Sequence, residues 1–203
     1  MLVTGIKSKP VYAPLQPDIR GHYHLMVGSG VGAGPLLRIL AEMRTVAPHA
    51  LKATRVLYVP DAEAANGAAP FTVAQVAEVR SFHGAAALLE AFRVLLGESL
   101  MGTRLYVAGP ESFIGLVMKI ALEFDLNKDE IRAEECGALA RRVYCIHCRV
   151  TTEEVRTNIV RCVECDRWLL VRDHYSRRLA AYMGVMVDAE APGELPPLKE
   201  VFL

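Results

Sequence analysis

The chain has 203 residues, of which 52% are hydrophobic and 23% charged. That is enough apolar material for a packed core and too much for a disordered chain. Its 23 basic and 23 acidic residues cancel to a formal net charge of zero, which argues against a dedicated nucleic-acid binder.

The longest uncharged stretch, residues 21–37, carries five Gly and two His. It is shorter than the roughly 20 apolar residues that a membrane span needs. Residues 1–10 lack the basic start and apolar core of a secretory signal. Five Cys, four of them in two CxxC pairs, point to a metal site in a reducing compartment rather than to a disulfide framework. A cytoplasmic protein with no membrane partner is therefore expected.

The zero balance hides a split. Residues 141–178 hold nine Arg against five acids, a local excess of four positive charges, together with all four CxxC cysteines. Residues 179–203 are acidic, with Asp188, Glu190, Glu194 and Glu200 against Lys199. The expected organisation is an extended Pro-rich arm over 1–20, an α/β domain over 21–140, a Cys-rich module over 141–180 and an acidic Pro-rich tail over 181–203. No internal repeat is visible.

The arm carries Pro10, Pro14 and Pro17, a spacing that favours extended chain without ladder hydrogen bonds. His22–Val27 reads as the first strand. It runs into Gly28-Ser29-Gly30-Val31-Gly32-Ala33-Gly34-Pro35, after which Leu36, Leu37, Ile39, Leu40 and Met43 recur at helical spacing. Thr54–Val59 and Ala77–Phe82 read as the second and third strands, with a short or irregular connection over Asp61–Ala74. Ala85–Leu96 is an amphipathic helix and Thr103–Ala108 a fourth strand. Gly109-Pro110-Glu111-Ser112 opens a helix through Phe124, and Ile131–Cys136 is a fifth strand. Strands alternating with helices imply a five-stranded parallel sheet covered on both faces.

Two readings attach to the glycine turn. Gly28, Gly30 and Ala33 fit GxGxxG/A between a strand and a helix, where unpaired N–H groups and the helix dipole suit a pyrophosphate. The same glycines also permit close strand–helix packing. No acid stands about 20 residues downstream, Asp61 lying about 30 on, so the ordinary dinucleotide fingerprint is incomplete.

The cysteines carry a stronger signal. Cys145-Ile146-His147-Cys148 and Cys162-Val163-Glu164-Cys165 lie 13 residues apart. Each pair forms a knuckle that aims two thiolates at one point, and two knuckles close a tetrahedral four-sulfur shell. Zinc in a structural role is the first expectation. Rubredoxin-type iron, which would make an electron carrier, uses the same ligands, but the second pair lacks the Cys-Pro-x-Cys-Gly form and the loop between the knuckles is short. His147 is expected beside the shell rather than in it. Arg141, Arg142, Arg149, Arg156, Arg161, Arg167 and Arg172 surround the pairs. Cys136 and the other five histidines show no triad or metal spacing, and no catalytic residue is assigned.

Residues 24–37, from His24 through the glycine turn to Leu37, resemble the pyrophosphate turn of the ferredoxin–NADP reductase family. Leu105-Tyr106-Val107-Ala108-Gly109-Pro110-Glu111-Ser112-Phe113 resembles that family's nicotinamide-end motif. The resemblance implies a nucleotide-binding half with Gly28, Ser29, Gly30, Gly32, Ala33, Gly34, Gly109, Pro110 and Glu111 about an NADPH-type cofactor. Three positions depart from it. Gly34 stands where a hydroxyl residue is usual, Ala108 replaces a cysteine, and Pro60-Asp61-Ala62-Glu63 replaces an Arg/Ser pair. Only about 20 residues precede the first strand, so the family's flavin barrel, and flavin itself, are expected on another chain.

The pairing of this half with a four-cysteine ribbon is similar to the small A-type subunits of bacterial dimethylamine monooxygenase. That resemblance implies an accessory subunit of an NADPH- and O2-dependent complex that converts dimethylamine to methylamine and formaldehyde. A haem-type catalytic subunit and a flavin/iron–sulfur reductase subunit are the implied partners. The alternatives are a stand-alone NAD(P)H-binding reductase component and a rubredoxin-like carrier.

Overall fold

The computed structural model describes residues 8–61, 71 and 74–202. These residues fall into two compact units, one of residues 12–137 and one of residues 138–202 with residues 8–11. Residues 1–7 of the arm, most of the connection expected over Asp61–Ala74, and residue 203 lie outside the described residues.

The first unit alternates strand and helix: β1 (Tyr23–Ser29), α1 (Ala33–Val46), α2 (Pro48–Leu51), β2 (Thr54–Val59), β3 (Glu78–Ser81), α3 (Ala85–Gly97), β4 (Thr103–Gly109), α4 (Glu111–Glu123) and β5 (Ile131–Glu135). The strands form one parallel sheet in the order β3-β2-β1-β4-β5. The central strands are covered on both faces and so read as apolar runs, Leu25-Met26-Val27 in β1 and Leu105-Tyr106-Val107-Ala108 in β4. Leu36, Ile39, Leu40 and Met43 of α1 pack with Met26, Val56 and Tyr106 on one face. Leu88 and Phe92 of α3 and Val117 and Ile120 of α4 pack with Val27, Leu57 and Val107 on the other. Each fully buried side chain of this kind contributes about 1.5–3 kcal/mol. The strand order reverses between β1 and β4, which opens a crevice at their carboxyl ends.

Residues 12–20 of the arm lie on this sheet. Leu15 is buried, its N–H donates to Glu134 Oε2 at 2.6 Å, and Arg38 donates to its carbonyl at 3.0 Å. Asp18 is buried too. Its carboxylate accepts from Arg20 at 2.8 Å, Arg104 at 3.1 Å and Arg132 at 3.4 Å, and its N–H donates to the Tyr106 hydroxyl at 3.0 Å. The Arg20 guanidinium and backbone N–H, with Arg104, hold the Asp18 carboxyl well below the usual carboxylate range despite its burial. The Tyr106 hydroxyl also meets His24 Nδ1 at 3.3 Å, and burial pushes the His24 imidazole down.

The second unit holds β6 (Arg141–Cys145), β7 (Thr151–Val155), β8 (Ile159–Arg161), β9 (Trp168–Ser176) and β10 (Ala181–Met186). Two antiparallel hairpins, β6–β7 and β8–β9, are joined by β10, giving the order β7-β6-β10-β9-β8. β10 runs parallel to β6 and antiparallel to β9.

The boundaries expected at 140/141 and 180/181 therefore move. The segment expected to open an acidic tail begins instead with the central strand of the second sheet, because Ala181 and Tyr182 are fully buried. Residues 197–202 also return to this unit. Lys199 and Asn158 exchange hydrogen bonds, the Val201 N–H donates to Arg156 O at 2.9 Å, and the Arg141 guanidinium lies between the Tyr182 and Phe202 rings at 3.9 and 3.8 Å. At the other end, Ser8 Oγ bonds both backbone groups of Tyr175. No helix among the described residues is long and apolar enough to cross a membrane.

Asp18→Asn leaves Arg104, 15% exposed, facing a neutral amide. The substitution is expected to cost the first unit roughly 2–4 kcal/mol at pH 7, while the largely exposed Arg20 accounts for little of it. A carboxyl held low when folded stabilises above its unfolded value near ~3.9 and loses that contribution as pH falls below it. Denaturant titrations at pH 7 and pH 3 are expected to show a large difference between the two proteins at pH 7 and a smaller one at pH 3.

Candidate functional site

The two CxxC segments form the tips of the two hairpins of the second unit. Cys145 ends β6, and Cys148 lies in the turn toward β7. Cys162 follows β8, and Cys165 lies in the turn toward β9. The turns share one backbone plan. The Cys145 N–H donates to Val150 O at 2.9 Å and the Arg149 N–H to Cys145 O at 2.9 Å. In the second turn the Cys162 N–H donates to Arg167 O at 2.9 Å and the Asp166 N–H to Cys162 O at 3.1 Å. Arg149 and Asp166 occupy the left-handed region, with φ of 67° and 58°. A non-glycine residue there costs about 1–2 kcal/mol, so both turns are held against a local preference.

That plan brings the four thiols together. All four Sγ atoms lie within 4.8 Å of one another, with Cys145 and Cys162 buried and Cys148 and Cys165 half-buried. Cys145 Sγ is 3.7 Å from Cys165 Sγ, and Cys148 Sγ is 3.4 Å from Cys162 Sγ. A tetrahedral metal with metal–sulfur distances near ~2.3 Å requires sulfur–sulfur edges of about 3.8 Å, so the donor set fits a four-sulfur metal shell.

The charge state agrees. The Arg167 backbone N–H and guanidinium bring the Cys165 thiol down to about 6. Against the Val150 backbone N–H, which lowers it, desolvation and the three neighbouring thiols push Cys148 up to about 12. Four thiols so close cannot all ionise unless a cation joins them. His147 lies outside the cluster, since its Nε2 accepts the Met186 N–H at 3.2 Å. Several of the surrounding arginines are paired within the unit: Arg142 with Glu153, Arg161 with Asp166 and Arg141 with Asp173.

In the first unit the expected nucleotide-turn residues converge on the crevice between β1 and β4. A Cβ on Gly32 would collide with the Ala108 carbonyl, and one on Gly109 would come within 3.3 Å of Ser29 O. Gly28 faces the Leu36 side chain. Gly28 and Gly32 therefore serve close packing of α1 on the sheet. Gly30, at φ 54°, turns the chain. Gly34 faces open space, so its missing side chain is not required by packing. Pro110 caps α4, and Glu111 is buried in its first turn.

The structure adds residues that the sequence motifs omit. The Tyr58 hydroxyl donates to Gly30 O at 2.5 Å. The Asp61 carboxylate stands against Gly30, where a Cβ would strike its Oδ1. The Val31 side chain sits against Gly137. Cys136, just past β5, donates its N–H to Gly109 O at 2.9 Å. In the sequence Asp61 was legible as an acid too far from the glycine turn and as part of the run that replaces an Arg/Ser pair.

Cys162→Ser removes one of the four clustered thiols and one of the five most buried residues of a small core that also holds Val143, Cys145, Val155 and Leu169. It is expected to abolish metal retention and to melt the second sheet while the first unit keeps its helical signal. Circular dichroism with elemental analysis checks both. Gly32→Ala is expected to destabilise the first unit by about 1–3 kcal/mol through overpacking. Gly34→Ala is expected to be neutral or stabilising by up to about 1 kcal/mol. Thermal unfolding of the two variants decides between packing and ligand roles for these glycines.

Family models match both units. The N-terminal domain model of dimethylamine monooxygenase subunit DmmA-like proteins covers residues 4–131, and the corresponding C-terminal domain model covers residues 142–185. The heme-dependent oxidative N-demethylase delta subunit of Ectopseudomonas mendocina (strain ymp) is 34% identical over 97 residues, which are 48% of this chain and 55% of that protein. The match thus spans about half the length of that relative. Among solved structures, the ferredoxin reductase of carbazole 1,9a-dioxygenase (FAD apo form) is 17% identical with a TM-score of 0.42, covering 61% of this chain and 34% of that one. The flavohem-like FAD/NAD-binding domain of nitric oxide dioxygenase from Vibrio cholerae is 19% identical with a TM-score of 0.41, covering 56% of this chain and 51% of that one. With one model on each unit and 128 residues, 4–131, matched by the first alone, the chain belongs to the dimethylamine monooxygenase subunit DmmA-like family.

Proposed function

We propose that the chain is a cytoplasmic accessory subunit of an NADPH- and O2-dependent amine N-demethylase that converts dimethylamine to methylamine and formaldehyde. In this reading it docks a haem-type catalytic subunit and a flavin/iron–sulfur reductase subunit through its sheet domain and its cysteine module. The observation that carries the proposal is the match of both units to DmmA-like domains. The delta-subunit relative, named for a heme-dependent oxidative N-demethylase, supports it.

The metal is zinc, held by Cys145, Cys148, Cys162 and Cys165. Zinc is redox-inert, so its part is structural: it joins two hairpins whose own core is small. Non-glycine residues at both left-handed knuckle positions support zinc over a rubredoxin-like site, where Cys-Gly is the usual form.

Co-expression of the chain with the haem-type and reductase subunits tests the reading. The expected result is a stable complex that contains the chain with one zinc and no visible absorbance from it, and whose dimethylamine-dependent NADPH oxidation falls at least tenfold when the chain is omitted. A chain that stays monomeric beside these subunits contradicts the docking role. Bound iron with a red colour contradicts structural zinc and favours the electron carrier.

A further inference from the structure

The family resemblance implies NADPH at the crevice between β1 and β4, and the residues there do not fit it. An NADP(H) site must neutralise a pyrophosphate and a 2′-phosphate, together about four negative charges. The 2′-phosphate is normally met by Arg near the end of the second strand of the fold, whereas an acid at that position suits a free ribose hydroxyl. Here β2 ends at Val59, and the whole connection to β3, residues 60–77, contains Asp61 and Glu63 and no Lys or Arg. Asp61 is exposed, and its carboxylate stands against Gly30 of the turn that would cradle the pyrophosphate.

A further acid, Glu135, closes β5 at the carboxyl end of the sheet. Arg38, the nearby cation on α1, is already paired with Glu134 and Glu42. On β3, the Arg80 guanidinium lies over the Phe82 ring at 5.4 Å. Burial, and after it the Asp61 charge, push the Tyr58 phenol up. The hydroxyl that contacts Gly30 O thus already lies in the field of that carboxylate.

We infer that this crevice excludes NADP(H), and that Asp61 is the residue that excludes it. The inference goes beyond the accessory-subunit proposal and assigns the NADPH contact of the assembly to a different chain.

Titration calorimetry of the full chain with NADPH and with NADH, at low and moderate salt, tests it. Asp61→Asn removes the charge and keeps the shape. Asp125→Asn, an exposed acid just past α4, is the control, and circular dichroism confirms folding. The expected result is NADPH binding at least tenfold weaker than NADH, or absent, in the wild-type chain. In Asp61→Asn a gain of at least tenfold in NADPH affinity is expected, with no change in Asp125→Asn. Wild-type binding of NADPH as tight as NADH overturns the inference. So does an Asp61→Asn variant whose NADPH affinity is unchanged, including the case in which neither protein binds it. Loss of complex assembly would instead count against the accessory-subunit proposal, since these titrations use the chain alone.

Discussion

Four sulfur atoms held within 4.8 Å of one another are the constraint on which the second unit depends. Thiolates this close repel, and a cation among them would offset that repulsion. The backbone is arranged to hold them. Two hairpins place their tips together, each with a left-handed Arg149 or Asp166 that costs energy locally. The apolar core beneath is thin, and two of its five most buried members are the clustered thiols Cys145 and Cys162. A metal bound by these thiols would therefore couple its affinity to the folding of this unit.

The first unit is held differently. Its parallel sheet buries apolar side chains on both faces, and its stability does not involve the cysteines. What is particular to it is the use of the glycine turn. Gly28 and Gly32 let α1 close onto β1 and β4, and the same closeness that builds a dinucleotide crevice builds a packed junction. With Asp61 placed against Gly30, the geometry keeps the packing and opposes the anion. The parallel sheet thus keeps a tightly packed junction at this turn, consistent with the accessory role proposed above.

The parallel sheet was legible because buried strands are apolar runs and helices recur at 3.6 residues. The expected strands His22–Val27 and Thr103–Ala108 carried that signal plainly. The four ligands were legible because CxxC spacing has a geometric reason. Three features were not. Ala181–Met186 was hidden by averaging it with the acidic residues that follow, although Ala-Tyr-Met-Gly-Val-Met is itself an apolar run and forms the central strand of the second sheet. The Asp18 lock joins residues 86 and 114 positions apart, and no local pattern encodes such a pairing. The left-handed positions within the knuckles escaped because glycine is the usual mark of such a turn, and Arg149 and Asp166 stand there instead.

The account rests on a four-sulfur metal shell that unites the two hairpins. X-ray absorption at the metal edge of the purified chain measures it directly. The account predicts a zinc edge with four sulfur scatterers near ~2.3 Å and no nitrogen or oxygen in the first shell. A shell that includes nitrogen, or a folded second unit that carries no metal, would contradict it.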